Sequence, residues 1–470
     1  MSTALLGGIV FVLVFAGIIL IHEFGHFIVA RLLNIEVEEF GIGFPPRLLR
    51  LWRSKGSILI GKECLVIPIN FDMPFDPKQS IHRPVNAIAT SIRGKLVLRS
   101  IEIAATEDGQ NRPDPVSEQE PSSIPLSDSA KGKDAQLNTI PPQPGEVHLS
   151  GILNEVRPGT EFTLNWIPLG GFNKIKGEDD PDAPGGMAAA NPWKRIAVLL
   201  AGAGMNLLTG VLVYTIFFSQ IGIPDNHTVV IASVDSPSPA QQAGLQAGDV
   251  VLAAGGLHIT GFNRLIQITH TYLDLPFPMV ILRAGKVLEF TVTPRSVYPS
   301  DQGPMGVSIG QPLLPAGSWF ETIPAAFSAT GQDINSLLDL PGRIIAGTIS
   351  PQEAQIGGPR SVWNLFQQAV SRDVTSRQTP STSGTATKPT NYTLLIIISL
   401  TITVAVANLL PIPALDGGRI FMTLPEIILR RRIPAKYQAA INGISFVILI
   451  TLLGFFYVKD IISPVNFTLP

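Results

Sequence analysis

Four stretches of this chain stay apolar long enough to cross a hydrocarbon layer: Ala4 to Ala30, Ile196 to Ile221, Tyr392 to Pro411 and about Ile441 to Val458. A layer of ~30 Å takes about 20 helical residues, so each is predicted to be a membrane helix. The first has no basic residue before it and no small-residue cleavage site after its apolar core, which reads as a span rather than a signal peptide. Asn191 and Pro192 suit the N-cap and first position of the second helix. Ala201 to Gly204 in that helix is a run of small residues that admits another backbone closely. Asn206, in the same helix, is a polar amide that either bonds a neighbouring helix or faces a hydrated cavity.

Between the spans the pattern changes. Glu39 to Arg47 is rich in glycine and proline and reads as turn chemistry leading into a hairpin. Thr160 to Pro168 alternates in part and ends in Leu169, Gly170, Gly171 and Phe172. These two pieces are expected to pair as a short sheet beside the first helix. About a hundred residues separate them. The front of this insert, Ser57 to Ala105, holds strand-like runs such as Lys95 to Leu98 and Ile101 to Ile103. Its rear, Thr106 to Pro144, is rich in Pro, Ser, Asp and Glu and reads as disordered. From Asn226 to Pro294 four further strands are predicted, at Val229–Val234, Val250–Ala254, Met279–Arg283 and Val287–Val292. The stretch Ala243-Gly244-Leu245 followed by Gly248-Asp249 resembles the bacterial kind of PDZ domain, whose groove adds an extended peptide as a strand. Phe327 to Leu340 and Val362 to Val370 are amphipathic and are expected along the membrane surface. Ser371 to Asn391 reads as a flexible linker.

Composition agrees with a membrane protein carrying soluble parts: 45% of residues are hydrophobic and only 15% are charged. A formal net charge of −2 offers nothing for nucleic acid to bind. The single cysteine, Cys64, excludes an internal disulfide and a thiolate metal cluster, and is read as a buried free thiol. Charge also orients the spans. Arg31, Arg47, Arg50, Arg53 and Lys55 follow the first helix, and Arg419, Arg430, Arg431, Arg432 and Lys436 follow the third, so both of these ends are expected in the cytoplasm. The N- and C-termini and the domain after the second span then face outward.

The chemistry sits on the first helix, at His22, Glu23 and His26. Histidines four apart share one helix face and can reach one metal ion. Glu23 between them can take a proton from a water. Ionisable groups inside an apolar helix are costly to keep without a task, which argues against two plain core histidines. His22 lies about 27 Å along the helix from Ala4, near the cytoplasmic surface. Asn408 to Gly418, at the end of the third span, contains Pro411, Pro413 and Asp416. Helix-breaking prolines at membrane depth require protein or water to satisfy the freed backbone. The charge rule puts Asp416 at the depth of His22 and His26. Two histidines and an aspartate would leave a zinc ion one open position, the arrangement of a catalytic site. The reaction class is peptide hydrolysis, with Glu23 as general base.

His22 to His26, Pro168 to Phe172, the PDZ-like domain and Asn408 to Gly418 occur in one order around four spans. In this the chain resembles the site-2 protease family of intramembrane zinc metalloproteases, in its bacterial regulated-proteolysis branch. The resemblance implies one zinc ion held by His22, His26 and Asp416, catalysis by Glu23, and substrate positioning by Asn408, Pro411 and Pro413, with Asn206 in the second helix. It implies that the Gly170-Gly171 hairpin pairs with an unwound substrate, a single-pass membrane protein such as an anti-sigma factor or a signal-peptide remnant. The PDZ-like domain would filter by size or hold a peptide, and the setting would be a bacterial inner membrane. Where the family has Gly-Pro-x-x-Asn, this chain reads Gly202 to Asn206 without the proline. A catalytically silent membrane scaffold is the competing class; it would have no need to keep all four site residues.

The expected fold is thus a polytopic α-helical membrane protein with four spans, a membrane-associated β-hairpin and an inserted extracytoplasmic PDZ-like α+β domain. Its expected divisions are 1–56, first helix and hairpin start; 57–157, cytoplasmic insert; and 158–225, hairpin and second helix. They continue with 226–312, PDZ-like domain; 313–391, amphipathic segment and linker; and 392–470, third and fourth helices.

Overall fold

The computed structural model describes residues 3–104, 146–178, 180–299, 302–347, 357–378, 391–431, 433–463 and 465. The disorder expected over 106–144 falls outside them. The chain divides into two units, Ile19–Val198, and Met1–Ile18 with Leu199–Pro470.

In the first unit α1 (Thr3–Leu32) leads into β1 (Val37–Arg53). Then come β2 (Gly56–Ile60), β3 (Glu63–Ile67), α2 (Pro77–Ser80), β4 (Pro84–Ile92), β5 (Lys95–Ile103), β6 (Glu146–Arg157), β7 (Glu161–Ile175) and the start of α3 (Pro192–Ile221). The two strand-like runs expected near residues 95–103 are one strand, β5.

Strands β2, β3, β5, β4 and β6 close a barrel in that order. Strand residues point alternately in and out. Ile58 and Ile60, Leu65 and Ile67, and Val85, Ala87 and Ala89 fill the barrel from alternate positions. Cys64 takes the outward position next to buried Leu65 and is exposed, which corrects the buried-thiol expectation.

β1 and β7 pair as expected, but each doubles back. Glu161, Phe162, Thr163 and Leu164 are matched with Glu39, Phe40, Gly41 and Ile42, and again with Arg53, Trp52, Arg50 and Leu49. Ile42, Gly41 and Phe40 are also matched with Gly171, Phe172 and Asn173. The start of β7, Glu161 to Leu164, therefore lies between two arms of β1, and among the described residues Gly171 to Ile175 forms an outer edge. The barrel grips the other edge. The Arg53 amide donates to Asn70 Oδ1 at 2.7 Å, the Asn70 amide donates to the Arg53 carbonyl at 3.1 Å, and Arg50 donates twice to Asp72 at 2.7 and 2.9 Å.

In the second unit α3 continues into β8 (Ile223–Pro224), β9 (Val229–Val234), α4 (Pro239–Ala243), β10 (Val250–Ala254), β11 (Leu257–His258), α5 (Phe262–Thr271), β12 (Phe277–Arg283), β13 (Lys286–Val292), β14 (Val307–Gly310) and β15 (Leu313–Leu314). One sheet runs β13-β12-β10-β9-β14, with β11 on β10. Val229, Ile231, Val251, Phe277, Met279 and Ile281 pack with Leu265 and Ile268 of α5 in its core. The turn before β10 is held by Asp249, which is fully buried and accepts from Arg283 at 2.6 and 2.7 Å and from the Gln246 amide at 2.8 Å.

Helices α6 (Thr322–Ile345), α7 (Pro359–Gln378), α8 (Tyr392–Leu409), α9 (Asp416–Leu429) and α10 (Ala435–Ile462) complete the chain. The apolar face of α6 is covered by protein along part of its length: Ala326, Ile334 and Leu337 join Val211, Phe217 and Phe218 of α3 and Ile398 and Ile402 of α8. The linker expected from Ser371 begins later, because α7 runs on to Gln378. Asp373 of α7 caps α8, accepting from the Tyr392 and Thr393 amides at 2.8 and 2.9 Å and from the Thr393 hydroxyl at 2.6 Å. Asp460 of α10 caps α7 in the same way through the amides of Arg360 and Ser361. The remainder of the expected linker, 379–390, lies outside the described residues.

Among the described residues four helices are long and apolar enough to cross a membrane: Leu5–Leu32, Pro192–Ile221, Tyr392–Leu409 and Lys436–Ile462, with hydropathies of 2.7, 2.1, 2.1 and 2.2. Asn191 caps the second of them, its Oδ1 accepting from the Trp193 amide at 2.9 Å.

Burial alone would raise the Asp249 carboxyl, but the Arg283 guanidinium and the Gln246 amide outweigh it and hold the group below the usual carboxylate range. A carboxyl lowered by folding stabilises the fold above its unfolded value of about 3.9, and that contribution is lost as pH falls through the lower folded value. Hydrogen exchange of β10 and β12 in the full chain, corrected for its intrinsic pH dependence, is expected to quicken below pH 4. An Arg283→Met chain should exchange faster at neutral pH and show a flatter acid response.

Candidate functional site

His22, Glu23 and His26 lie in the second half of α1, where no residue breaks the apolar helix. Both histidines are buried, at 8% and 7% exposure, and Glu23 is half-buried. His26 Nδ1 sits 2.8 Å from the Val198 carbonyl of α3. A carbonyl only accepts, so Nδ1 carries the proton and donates. In that tautomer Nε2 carries a lone pair, the form in which an imidazole binds a metal. It is turned toward His22 Nε2, 3.1 Å away, with the two rings edge to face. A histidine whose far nitrogen is fixed by a carbonyl is the usual arrangement behind a metal ligand, because the bond sets both tautomer and ring angle.

The sheet is fitted to this helix. Phe24 and Phe27 of α1 contact Phe40 of β1, and Phe27 also meets Phe162 of β7, at ring separations of 5.0 to 6.0 Å. Gly170 and Gly171 stand at the entrance to the outer arm of β7. A Cβ on Gly171 would come within 3.1 Å of the Leu20 Cα and the Glu23 Cβ. Glycine lets the strand backbone lie this close to the helix at the level of Glu23 without displacing its neighbours.

The other expected site residues belong to the second unit. Asn206 is fully buried in α3, and neither of its amide atoms has a hydrogen-bond partner. Asn408 is half-buried near the end of α8. Pro411 and Pro413 lie in the bend between α8 and α9, and Asp416 is the first residue of α9. The bend is tight against the helix start: a Cβ on Gly417 would lie 2.2 Å from the Leu410 carbonyl oxygen. Ala414, in the left-handed region at φ 78°, completes the turn. Asn173 of β7 went unnoticed in the sequence. Both of its amide atoms are buried without a hydrogen-bond partner. An Asn in a short polar-apolar strand gives no signal of this, since burial depends on what packs over it.

The description of peptidase family M50 matches residues 10–58 and 147–452, the greater part of the chain. The chain belongs to peptidase family M50. The break in the match falls across the barrel, whose strands run from Gly56 to Arg157. A Clostridium perfringens protein named as a zinc metalloprotease is 31% identical over 334 residues, covering 70% of this chain and 92% of that one. A similarly named Campylobacter jejuni protein is 29% identical over 315 residues, 64% of this chain and 80% of its own. Metalloprotease MmpA of Caulobacter vibrioides is 27% identical over 313 residues, 60% and 77% of the two chains. With four apolar helices, this M50 peptidase is a multi-pass membrane protein.

The contact at Gly171 yields a test. In Gly171→Val the branched side chain meets the backbone of α1, which cannot give way, and the strand must shift outward. A displacement near 1 Å beside the reacting group costs on the order of a hundredfold in rate. Cleavage of a membrane-anchored reporter is expected to fall by about that factor while zinc content stays at the wild-type level; unchanged cleavage would show that the strand does not need its close seat on α1.

Proposed function

We propose that this M50 metalloprotease hydrolyses a peptide bond in or near the membrane-spanning segment of a single-pass membrane protein. Zinc is its cofactor, and His22, His26 and Asp416 are the residues that would hold it. The observation that carries the reading is the histidine pair on α1: both rings are buried, their Nε2 atoms face each other, and the Val198 carbonyl fixes the His26 ring. The donor set suits the ion. Two imidazole nitrogens on one tetrahedral zinc stand ~3.3 Å apart, and the two Nε2 atoms are 3.1 Å apart. Two histidines and one carboxylate also leave a fourth position open, as catalytic sites do. When bound, the zinc supplies Lewis-acid chemistry, making water more acidic and polarising a carbonyl.

The chain's own groups do the rest. Glu23 takes the proton of the attacking water and delivers it to the departing amine nitrogen. His26 is kept in one tautomer by Val198. Among the described residues the outer arm of β7, Gly171 to Ile175, has β1 on one side only. A substrate segment that unwinds can add there as a strand, which exposes its carbonyls beside Glu23. Asn408, Pro411 and Pro413 would position the same segment, with Asn206 near them in role.

The remaining assignments rest on sequence pattern. The arginine clusters after α1 and α9 favour a cytoplasmic site near one membrane face, with both termini and the domain of β9 to β14 outside. That domain, read as PDZ-like, would filter substrates by size or hold a peptide. Its substrate class would be an anti-sigma-factor-like protein or a signal-peptide remnant in a bacterial inner membrane.

Glu23→Gln should abolish cleavage of a membrane-anchored reporter, by about a thousandfold or more for loss of a general base together with its charge, while metal analysis still finds one zinc per chain. Persistent cleavage in this variant would sink the assigned role. Asp416→Asn is expected to lower zinc retention during dialysis against a mild chelator; metal content equal to wild type would place the third ligand elsewhere.

A further inference from the structure

Asn173 is a buried amide that the mechanism above leaves idle. It is the third residue of the outer arm of β7, matched with Phe40 of β1, while among the described residues its other side has no strand. Directly opposed residues of a pair share a face, and Phe40 turns its ring to Phe24 and Phe27 of α1. Gly171, two residues earlier and so on the same face, abuts Leu20 and Glu23. The Asn173 side chain therefore points toward α1, one strand step of ~6.8 Å from the place beside Glu23. Its strand partner on that face is the Phe40 ring. Neither Nδ2 nor Oδ1 has a hydrogen-bond partner, although both are shielded from solvent. An apolar residue of similar size would be the more stable choice at this point, because a buried amide without partners loses its hydration for nothing. The rest of the residue stays partly exposed at the open edge.

We infer that Asn173 selects substrates, its amide pairing with a short hydrogen-bonding side chain (Ser, Thr or Asn) on the added strand. This rests on the strand-addition reading of the site. A strand added to this edge brings one residue directly beside Asn173, within about 4.5–5.5 Å at Cβ, and that residue is two positions from the one beside Gly171. A site with an unmet amide prefers a partner that can bond it over an isostere that cannot. Threonine and valine are such a pair. The preferred substrate then carries a small polar residue two positions from the one seated beside Glu23, within an otherwise apolar segment.

The test uses the full-length protein and single-span reporters that differ only by Thr or Val at each position from four before to four after the cut. Binding is read with the Glu23→Gln protein, and cleavage with the wild type. Thr is expected to be preferred over Val by about tenfold or more at one position, two residues from the one beside Gly171, in both assays. Adding Asn173→Val, or Asn173→Leu if that chain folds poorly, should erase this preference while leaving the ranking at other positions intact. A wild-type ranking with no Thr preference, or one that survives both substitutions, overturns the inference while cleavage itself stands. Selective binding by the Glu23→Gln protein without Glu23-dependent cleavage in the wild type would overturn the peptidase reading and leave the selectivity in place.

Discussion

The backbone of β7 lies directly on α1 at Gly171, and the organisation of the first unit depends on that approach. A side chain there would meet the Leu20 Cα and the Glu23 Cβ at 3.1 Å. Its absence seats a strand edge at the level of a carboxylate flanked by two buried histidines. Hydrolysis of a peptide bond requires an extended substrate, since a helical one keeps its carbonyls in hydrogen bonds. In the proposed function, a strand edge beside Glu23 would meet that requirement with main-chain bonding that is indifferent to sequence.

The surrounding structure reads as support for this seat. Phe24, Phe27, Phe40 and Phe162 form an aromatic layer between helix and sheet. On the far edge of the sheet the barrel loop at Asn70 to Asp72 bonds the main chain of Arg53 and pairs with Arg50. An unpaired edge invites unwanted strand addition, and here it is partly occupied. The barrel lies where the family match is interrupted, and it meets the sheet at the Arg50 to Arg53 edge. In the second unit the helices are tied by carboxylate caps. Asp460 caps α7 and Asp373 caps α8, the helix that leads into the bend before Asp416.

Much of this was legible from residues alone. The spans follow from uninterrupted apolar runs, and the metal-site motif from the spacing of His22 and His26. The strands at Val229–Val234 and Val250–Ala254 are present as expected, because β-branched runs bounded by Gly, Pro and Asp leave little choice of element. Other expectations shifted. Cys64 is exposed because barrel closure assigns its strand position outward. Residues 371–378 are helical although their composition suggests a linker, because Asp373 caps the next helix and thereby anchors them.

Local pattern thus determined which segments are apolar helices, which are strands, and that His22, Glu23 and His26 form a metal-site motif. Each of these depends on residues within a turn or two of one another. Only the tertiary structure decided that β1 and β7 double back to leave one open edge, that Val198 sets the tautomer of His26, and that Asn173 is buried without a partner. Those are contacts across 120 to 180 positions of chain, made by packing and hydrogen-bond geometry in three dimensions. No periodicity in the sequence records them.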